Sequence, residues 1–162
     1  MERLWAPWRI QYITGEKPAG CVFCIKDDNR EKLVLQRTEH VRILLNRYPY
    51  CNGHLLVAPV RHTASFDELS DCEMLELFRG MARCRSVLSR ALAAEGFNIG
   101  MNLGKVAGAG VEDHLHFHVV PRWNGDTNFI AVNADVRVLP EALYSTFDKL
   151  LPFFTEGPED EP

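Results

Sequence analysis

The sequence predicts a single domain in which a β-sheet carries two amphipathic helices. The 162-residue chain has an apolar fraction of 46%, which is enough for one sizeable core and requires no second domain. Short apolar runs bounded by turn residues alternate with polar connections, and one long segment between them has a helical period. The residues that can carry chemistry lie on or beside these short runs.

Three strands are expected before the long helix. Residues 33–37 and 40–46 read as two strands with a short polar connection, and residues 53–58 form a third that is followed by a proline. Residues 46–52 contain asparagine and proline, which favour a turn, and Asn46 stands at the end of an apolar strand. Such a position is where a loop commonly meets a functional site.

Two helices are expected. The first is predicted over residues 71–95, because Ser70 and Glu73 form a capping box and Gly96 supplies a stop. Its apolar stripe predicts a helix that packs on a sheet, and consists of Met74, Leu77, Phe78, Met81, Cys84, Leu88, Ala91 and Leu92. The second helix is expected to open at Pro140, with an inner side formed by Leu143, Phe147 and Leu150.

The last predicted strand carries three histidines, and it follows a strand at residues 97–103 and a glycine-rich connection. His114, His116 and His118 alternate with large apolar residues over residues 113–122, which places the three imidazoles on one face. Neighbouring rings on that face start about 6.6 Å apart, a spacing that suits chemistry on one phosphate group. A single histidine is usually structural, but three in register favour a functional site.

Cys21 and Cys24 have the two-residue spacing that lets both thiolates reach one zinc ion. A redox pair is the alternative, although a thioredoxin-like site expects a βαβ context that does not follow here. Histidines further along the chain can complete a ligand set. The chain has five cysteines and no export signal, which favours reduced thiols or metal ligands over disulfides.

Composition and charge restrict the class of function. The sequence shows no apolar run of membrane-spanning length and no secretory leader, which predicts a cytoplasmic protein. The net charge of −4 and the lack of a Lys/Arg cluster argue against a nucleic-acid-binding surface. We expect residues 1–20 to form an arm, residues 21–154 to form the domain, and the acidic residues 155–162 to be disordered.

These motifs together resemble the histidine triad (HIT) superfamily. Its histidine pattern matches HLHFHVV at residues 114–120, and GHLLVAP at residues 53–59 and CVFC at residues 21–24 lie in the family's order. WAPWR at residues 5–9 and Asp113 before the triad are most like the bacterial branch of diadenosine tetraphosphate phosphorylases. The resemblance implies an α+β, HIT-like fold, with helices on one side of an antiparallel sheet and a homodimer whose sheets join.

The same resemblance assigns roles to individual residues. His116 would attack an α-phosphorus to form a nucleotidyl-histidine, while His118 and His54 would hydrogen-bond the phosphate oxygens. Asn46 would contact the ribose and Asn102 the phosphate. In zinc-containing members of the family the structural metal would be held by residues that correspond to Cys21, Cys24, His62 and His114.

The activity implied by the resemblance is nucleotide transfer from dinucleoside polyphosphates, with phosphorolysis of diadenosine tetraphosphate to ATP and ADP as the leading reaction. The partners would be the dinucleotide, inorganic phosphate, and further copies of the chain in a homodimer or higher homo-oligomer. The alternatives are a HIT hydrolase of dinucleoside polyphosphates or adenosine phosphoramidates, a non-catalytic nucleotide-binding protein, and a zinc-stabilised interaction module. One departure from the family pattern is AGAGVED at residues 107–113, which has one extra residue and no Gln, so no side chain of this loop is assigned.

Overall fold

The computed structural model describes residues 20–126 and 141–156. In chain order the elements are β1 (Val34–Arg37), β2 (Val41–Leu45), β3 (Leu55–Pro59), α1 (Asp71–Leu92), β4 (Gly96–Gly100), β5 (Phe117–Arg122) and α2 (Leu143–Thr155). The five strands form one antiparallel sheet in the order β1-β2-β3-β5-β4. The predicted α+β fold with an antiparallel sheet is therefore confirmed. The expected arm, apart from Gly20, and all but the first two residues of the expected tail lie outside the described residues.

Helix α1 packs on one face of the sheet and forms the main core with it. The predicted capping box is present, because the Ser70 hydroxyl accepts from the Glu73 N–H and the Glu73 carboxylate accepts from the Ser70 N–H. Leu77 is buried as predicted, but the expectation was wrong for Met74 and Phe78, which are exposed. Each residue advances about 100° around a helix, so Phe78 points well away from the face that Leu77 defines.

Helix α1 ends three residues earlier than expected. Ala93 adopts the left-handed conformation, with a φ of 51°, and its N–H bonds to the carbonyl of Leu88. The Trp123 indole donates to the carbonyl of Leu92 over 3.0 Å and so satisfies one terminal carbonyl of the helix. Gly96, which was predicted as the stop, is the first residue of β4.

The strand expected over residues 113–122 is shorter than predicted, because β5 begins only at Phe117. His118 lies within β5 and faces Leu56 of β3, whereas His114 and His116 precede the strand. Before Phe117 the chain bonds beyond the end of β3 instead, since the Leu115 N–H donates to the carbonyl of Thr63 over 2.8 Å. The alternation nevertheless continues, since the apolar residues of this run pack in the main core, namely Leu115, Phe117 and Val119.

Helix α2 begins at Leu143, and Pro140, its expected first residue, lies outside the described residues. The buried side chains of Phe147 and Leu150 confirm the predicted inner side, which packs against α1 and β1. No described helix is long and apolar enough to cross a membrane.

The second face of the sheet carries a smaller apolar cluster and the predicted site histidines. The cluster consists of Phe23, Val34, Leu44, Leu56 and Ala58. Because side chains alternate along a strand, these positions of β2 and β3 face away from the helices. The loop at residues 21–28 covers this face through the buried ring of Phe23. The fold thus separates a helix-covered face, which holds the larger apolar cluster, from a face that carries the predicted site residues.

Candidate active site

Four of the predicted site residues meet on the sheet face opposite the helices. His54 directly precedes β3, His118 lies beside it in β5, and His114 and His116 lead into β5. The ring centroids of His54 and His118 are 5.1 Å apart, and those of His116 and His118 are also 5.1 Å apart. The predicted clustering of imidazoles is therefore present, although only His118 belongs to a regular strand.

Hydrogen bonds determine which nitrogen of His54 and His118 carries the proton. The Tyr50 backbone N–H donates to Nδ1 of His54 over 3.1 Å, and the Asn46 amide group lies 3.2 Å from the same atom. Nδ1 of His54 is therefore an acceptor, so its proton lies on Nε2, which donates to Nδ1 of His118 over 2.9 Å. The proton of His118 consequently lies on Nε2. A backbone amide thus makes Nε2 of His118 a hydrogen-bond donor.

His116 has the opposite tautomer to His118, with its proton on Nδ1 instead of Nε2. Its Nδ1 donates to the backbone carbonyl of His114 over 2.9 Å, which leaves the lone pair on Nε2. Burial lowers the pKa of His116, so the ring is neutral near pH 7 and Nε2 can act as a nucleophile. The buried ring of Phe23 lies against His116, with centroids 4.7 Å apart and an interplanar angle of 30°.

His118 is also neutral near pH 7. Burial, followed by the neighbouring His116, lowers the pKa of His118 from 6.5 to about 4. Tyr50 packs on the other side of the pair, with its ring centroid 4.7 Å from that of His54 and 5.9 Å from that of His118. The site therefore combines an uncharged ring that could act as a nucleophile with an uncharged hydrogen-bond donor.

A second cluster lies directly beside these imidazoles and contains two thiols. The ligand atoms of Cys21, Cys24, His62 and His114 all lie within 4.8 Å of one another. Nδ1 of His114 is 3.3 Å from the Cys21 sulfur and 3.7 Å from that of Cys24, while Nδ1 of His62 is 3.3 Å from the Cys24 sulfur. A tetrahedral zinc site with ordinary bond lengths separates nitrogen and sulfur ligands by about 3.6 Å. These residues could therefore hold a metal ion.

The second ring nitrogen of His114 also makes a hydrogen bond. Its Nε2 donates to the carbonyl of Pro59 over 2.9 Å, which directs the lone pair of Nδ1 toward the two thiols. Metal-binding histidines commonly make such a bond with the ring nitrogen that does not bind the metal. His114 thus contributes its side chain to the thiol cluster and its backbone carbonyl to His116.

The two predicted binding residues Asn46 and Asn102 follow strands β2 and β4. Asn46 is turned toward His54, and its Oδ1 accepts from the Tyr48 N–H over 2.9 Å. Asn102 follows β4, with its amide nitrogen about 4 Å from the position that a Cβ at Gly108 would occupy.

Sequence reasoning did not identify three residues that contact the site or the loop beside it. These are Phe23, Tyr50 and Arg42. Phe23 has a local signal, because it stands between the two cysteines. Tyr50 stands in the turn that contains Asn46 and could have been found there. Arg42 has no such signal, because it is an arginine within an otherwise apolar strand.

An α+β fold with alternating histidines on one sheet face is the arrangement that defines a histidine-triad protein. Residues 27–125 match the family model of the HIT domain. The AP-4-A phosphorylase of Mycobacterium tuberculosis is 37% identical over 157 residues, which cover 90% of this chain and 80% of the relative. The chain therefore belongs to the HIT family.

Solved structures agree with this assignment. A hypothetical histidine triad nucleotide-binding protein from Sulfolobus tokodaii superimposes with a TM-score of 0.66 at 27% identity, covering 83% of this chain and 92% of the other. A Zn-bound histidine triad family protein from Mycobacterium smegmatis has a TM-score of 0.55 and 30% identity, covering 76% of this chain and 84% of the other.

Proposed function

We propose that this protein is a nucleotidyltransferase that acts on dinucleoside polyphosphates, and that its reaction is the phosphorolysis of diadenosine tetraphosphate to ATP and ADP. One observation carries the proposal, namely that the Nδ1–H of His116 is bonded to a carbonyl, so that Nε2 is free to attack phosphorus. The similarity to a mycobacterial AP-4-A phosphorylase over nearly the whole chain supports the choice of substrate.

In the first step Nε2 of His116 attacks one α-phosphorus of the dinucleotide. The N–P bond forms as the P–O bond to the remaining nucleoside triphosphate breaks, so ATP leaves and a nucleotidyl-histidine remains. The ring becomes positively charged, and its Nδ1–H bond to the His114 carbonyl stabilises that charge. In the second step an oxygen of inorganic phosphate attacks the same phosphorus, the N–P bond breaks, and ADP is released.

His118 stabilises the negative charge of both transition states. Its Nε2–H donates to a non-bridging oxygen of the reacting phosphate, and His54 maintains the required tautomer from behind. The contacts of Asn46 with the ribose and of Asn102 with the phosphate stay predictions. The position of Asn46 against His54 adds a second task for its amide, which is to support the hydrogen-bond relay.

The thiol cluster is proposed to hold a structural zinc ion. Two thiols and two imidazoles form a donor set that zinc prefers, and four protein ligands leave no position for a catalytic water. The Zn-bound neighbour of the same family supports this choice of metal. Bound zinc would supply folding stability, and Cys21, Cys24, His62 and His114 would be its ligands.

The protein is further proposed to form a homodimer or a higher homo-oligomer through strand β4. In the described parts of the chain, β4 pairs only with β5, so its other edge is open. Ile99 on this strand is 46% exposed and Leu103 just after it is 50% exposed. Open edges with apolar side chains need cover, and a second copy of the same edge supplies it. A cytoplasmic location is also proposed, supported by the odd number of cysteines, which favours reduced thiols or metal ligands over a disulfide framework.

Hydrolysis is the alternative reaction, because water can attack the same intermediate in place of phosphate. The deciding experiment incubates the protein with diadenosine tetraphosphate, with and without inorganic phosphate, and identifies the products. ATP and ADP that form only with phosphate support phosphorolysis. ATP and AMP that form without phosphate indicate a hydrolase. If the dinucleotide binds without any cleavage, the enzymatic proposal is wrong and a nucleotide-binding protein replaces it.

A further inference from the structure

We infer that Arg42 is a positioning residue that fastens the cysteine loop, residues 21–28, to the sheet and thereby holds Phe23 against His116. Arg42 lies on β2 and is only 1% exposed. Its Nε donates to the Asp28 carboxylate over 2.8 Å, which is one of three bonds that this guanidinium makes to the loop. The other two bonds go to backbone carbonyls, of Phe23 over 2.8 Å and of Ile25 over 3.0 Å.

Burying a guanidinium costs free energy that an apolar residue at position 42 would not cost. A buried cation loses its hydration, and it persists only where paired charges and hydrogen bonds replace the water. Here one carboxylate and two carbonyls do so, and all three belong to the cysteine loop. The flat guanidinium presents several donors in one plane, which a lysine cannot reproduce.

The cysteine loop has little regular structure of its own. Within it, the Cys24 N–H bonds to the carbonyl of Cys21 over 3.1 Å. The carbonyls of Phe23 and Ile25 instead accept from Arg42, so the guanidinium fixes the loop backbone from the sheet side. A metal ion at the two thiols would hold the same loop from the other side.

The cysteine loop is connected to the histidines through Phe23. This residue stands between the two metal-binding cysteines, is buried, and has its ring centroid 5.2 Å from His114 and 4.7 Å from His116. The position of the loop backbone therefore sets both the spacing of the thiols and the packing of His116. The three bonds of Arg42 go to Asp28, Phe23 and Ile25 and not to His116 or the proposed metal ligands, so Arg42 positions His116 through the loop and Phe23.

The catalytic part of this inference rests on the proposed function, whereas the structural part does not. The variant Arg42→Met removes all three bonds, and Arg37→Met is its matched control. Arg37 bonds to the same Asp28 carboxylate over 3.2 Å but reaches neither carbonyl. Both variants thus remove one cation from Asp28, and only the first releases the loop backbone.

Three measurements separate the possibilities. Amide hydrogen exchange of residues 21–28, measured without metal or substrate, should show lost protection in Arg42→Met and not in Arg37→Met, while helix α1 stays protected in both. Chelator competition should show zinc affinity reduced by about tenfold or more in Arg42→Met. Single-turnover labelling should show a slower first step, again by about tenfold, with little change in nucleotide affinity.

Two further variants keep the inference testable if Arg42→Met does not fold. Arg42→Lys retains the charge but cannot span two carbonyls, and it should lie between the wild type and Arg42→Met in all three measurements. Phe23→Leu keeps an apolar side chain and the loop backbone. It should slow the first step while zinc affinity stays within about twofold of the wild type.

The inference is overturned if loop protection, zinc affinity and labelling rate in Arg42→Lys all equal those of the wild type. It is equally overturned if Arg37→Met changes them as much as Arg42→Met does. A wild type that forms no labelled protein contradicts the proposed function instead, and the exchange and zinc measurements then still decide whether Arg42 fastens the loop.

Discussion

The Nδ1–H of His116 donates to the backbone carbonyl of His114 over 2.9 Å, and the side chain of His114 itself belongs to the thiol cluster. A residue of the proposed metal site therefore orients the nucleophile of the proposed reaction. The two functions that the sequence suggested separately, metal binding and phosphate chemistry, meet in one residue. If the proposed metal is bound, its removal should consequently affect the orientation of His116 as well as the stability of the fold.

The variant His116→Ala should abolish nearly all turnover while nucleotide still binds, because it deletes the attacking atom. His118→Ala should retain a slow reaction, reduced about 10²–10³-fold, because only a transition-state donor is lost. The measurement is trapping of acid-labile, base-stable label from an α-phosphate-labelled dinucleotide. His40→Ala, in a histidine outside the site, is the control and should label normally. Turnover of His116→Ala within about tenfold of the wild type would show that His116 is not the nucleophile.

The protein should purify with about one zinc ion per chain, and Cys24→Ser should lose it. Metal at a hundred times its dissociation constant stabilises the folded state by about 2.7 kcal/mol, which corresponds to roughly 5–10 °C in the unfolding midpoint. Cys72→Ser is the matched control, because this thiol is also exposed but lies outside the cluster. Elemental analysis and thermal unfolding test the expectation. Protein purified without chelator that contains no metal would contradict it.

Acid should destabilise the protein partly through His118. The folded-state pKa of His118 is lowered from 6.5 to about 4, so the unfolded chain binds a proton at pH values where the folded protein does not. Above pH 6.5 the difference in pKa costs no stability. As the pH falls from 6.5 toward 4, it lowers the free energy of unfolding by at most about 1.4 kcal/mol per pH unit. Urea unfolding of the wild type and of His118→Asn between those limits measures the difference. Parallel pH profiles for the two proteins would refute the expectation.

Replacing Ala93 by glycine should stabilise the protein by about 0.5–1 kcal/mol. Ala93 has a φ of 51°, a conformation that disfavours any residue with a Cβ, and glycine adopts it without that cost. Ala82→Gly is the control, because Ala82 is exposed within the interior of α1 and the same substitution there should destabilise by about 1 kcal/mol. Equilibrium unfolding in urea measures both values. Equal destabilisation by the two substitutions would contradict the assigned helix end.

The proposed assembly through β4 predicts that Ile99→Lys converts the protein to a monomer. A charged side chain on an edge strand opposes pairing with a second edge. Phe78→Lys is the control, because Phe78 is 68% exposed on α1, away from the open edge of the sheet. Light scattering at micromolar concentration measures the mass. A wild type with the mass of one chain, or dissociation by Phe78→Lys alone, would count against β4 as the interface.

Local periodicity predicted the order of the described strands and helices, and the spacing of the histidines and cysteines predicted most of the site. Local patterns are weaker at element ends, which depend on partners distant in sequence. The strand that carries His118 begins only at Phe117, and the preceding Leu115 N–H bonds to the carbonyl of Thr63, a loop residue distant in sequence. Helix α1 stops at a left-handed alanine that has no sequence signature. His62 entered the predicted site only through the family resemblance, because a single histidine in a loop carries no periodic signal.

Arg42 shows a different limit of sequence reasoning. An arginine in the middle of an apolar strand is usually the sign of a solvent-exposed face. Here the second face of the sheet is covered by the cysteine loop, so the guanidinium is buried and finds its partners there. Which face of a sheet remains exposed depends on segments far away in the chain. No local pattern could have distinguished the two cases.

The hydrogen-bond relay from the Tyr50 amide through His54 to His118 has a consequence for how the site responds to salt. The relay makes His118 a donor without a charge, and burial keeps His116 uncharged as well. Screening by dissolved ions weakens attraction between full charges far more than it weakens short hydrogen bonds from neutral groups. In the proposed complex with the dinucleotide, these two imidazoles would therefore contribute an affinity for the phosphate chain that changes little with ionic strength. A site in which lysine and arginine hold the phosphates would behave differently.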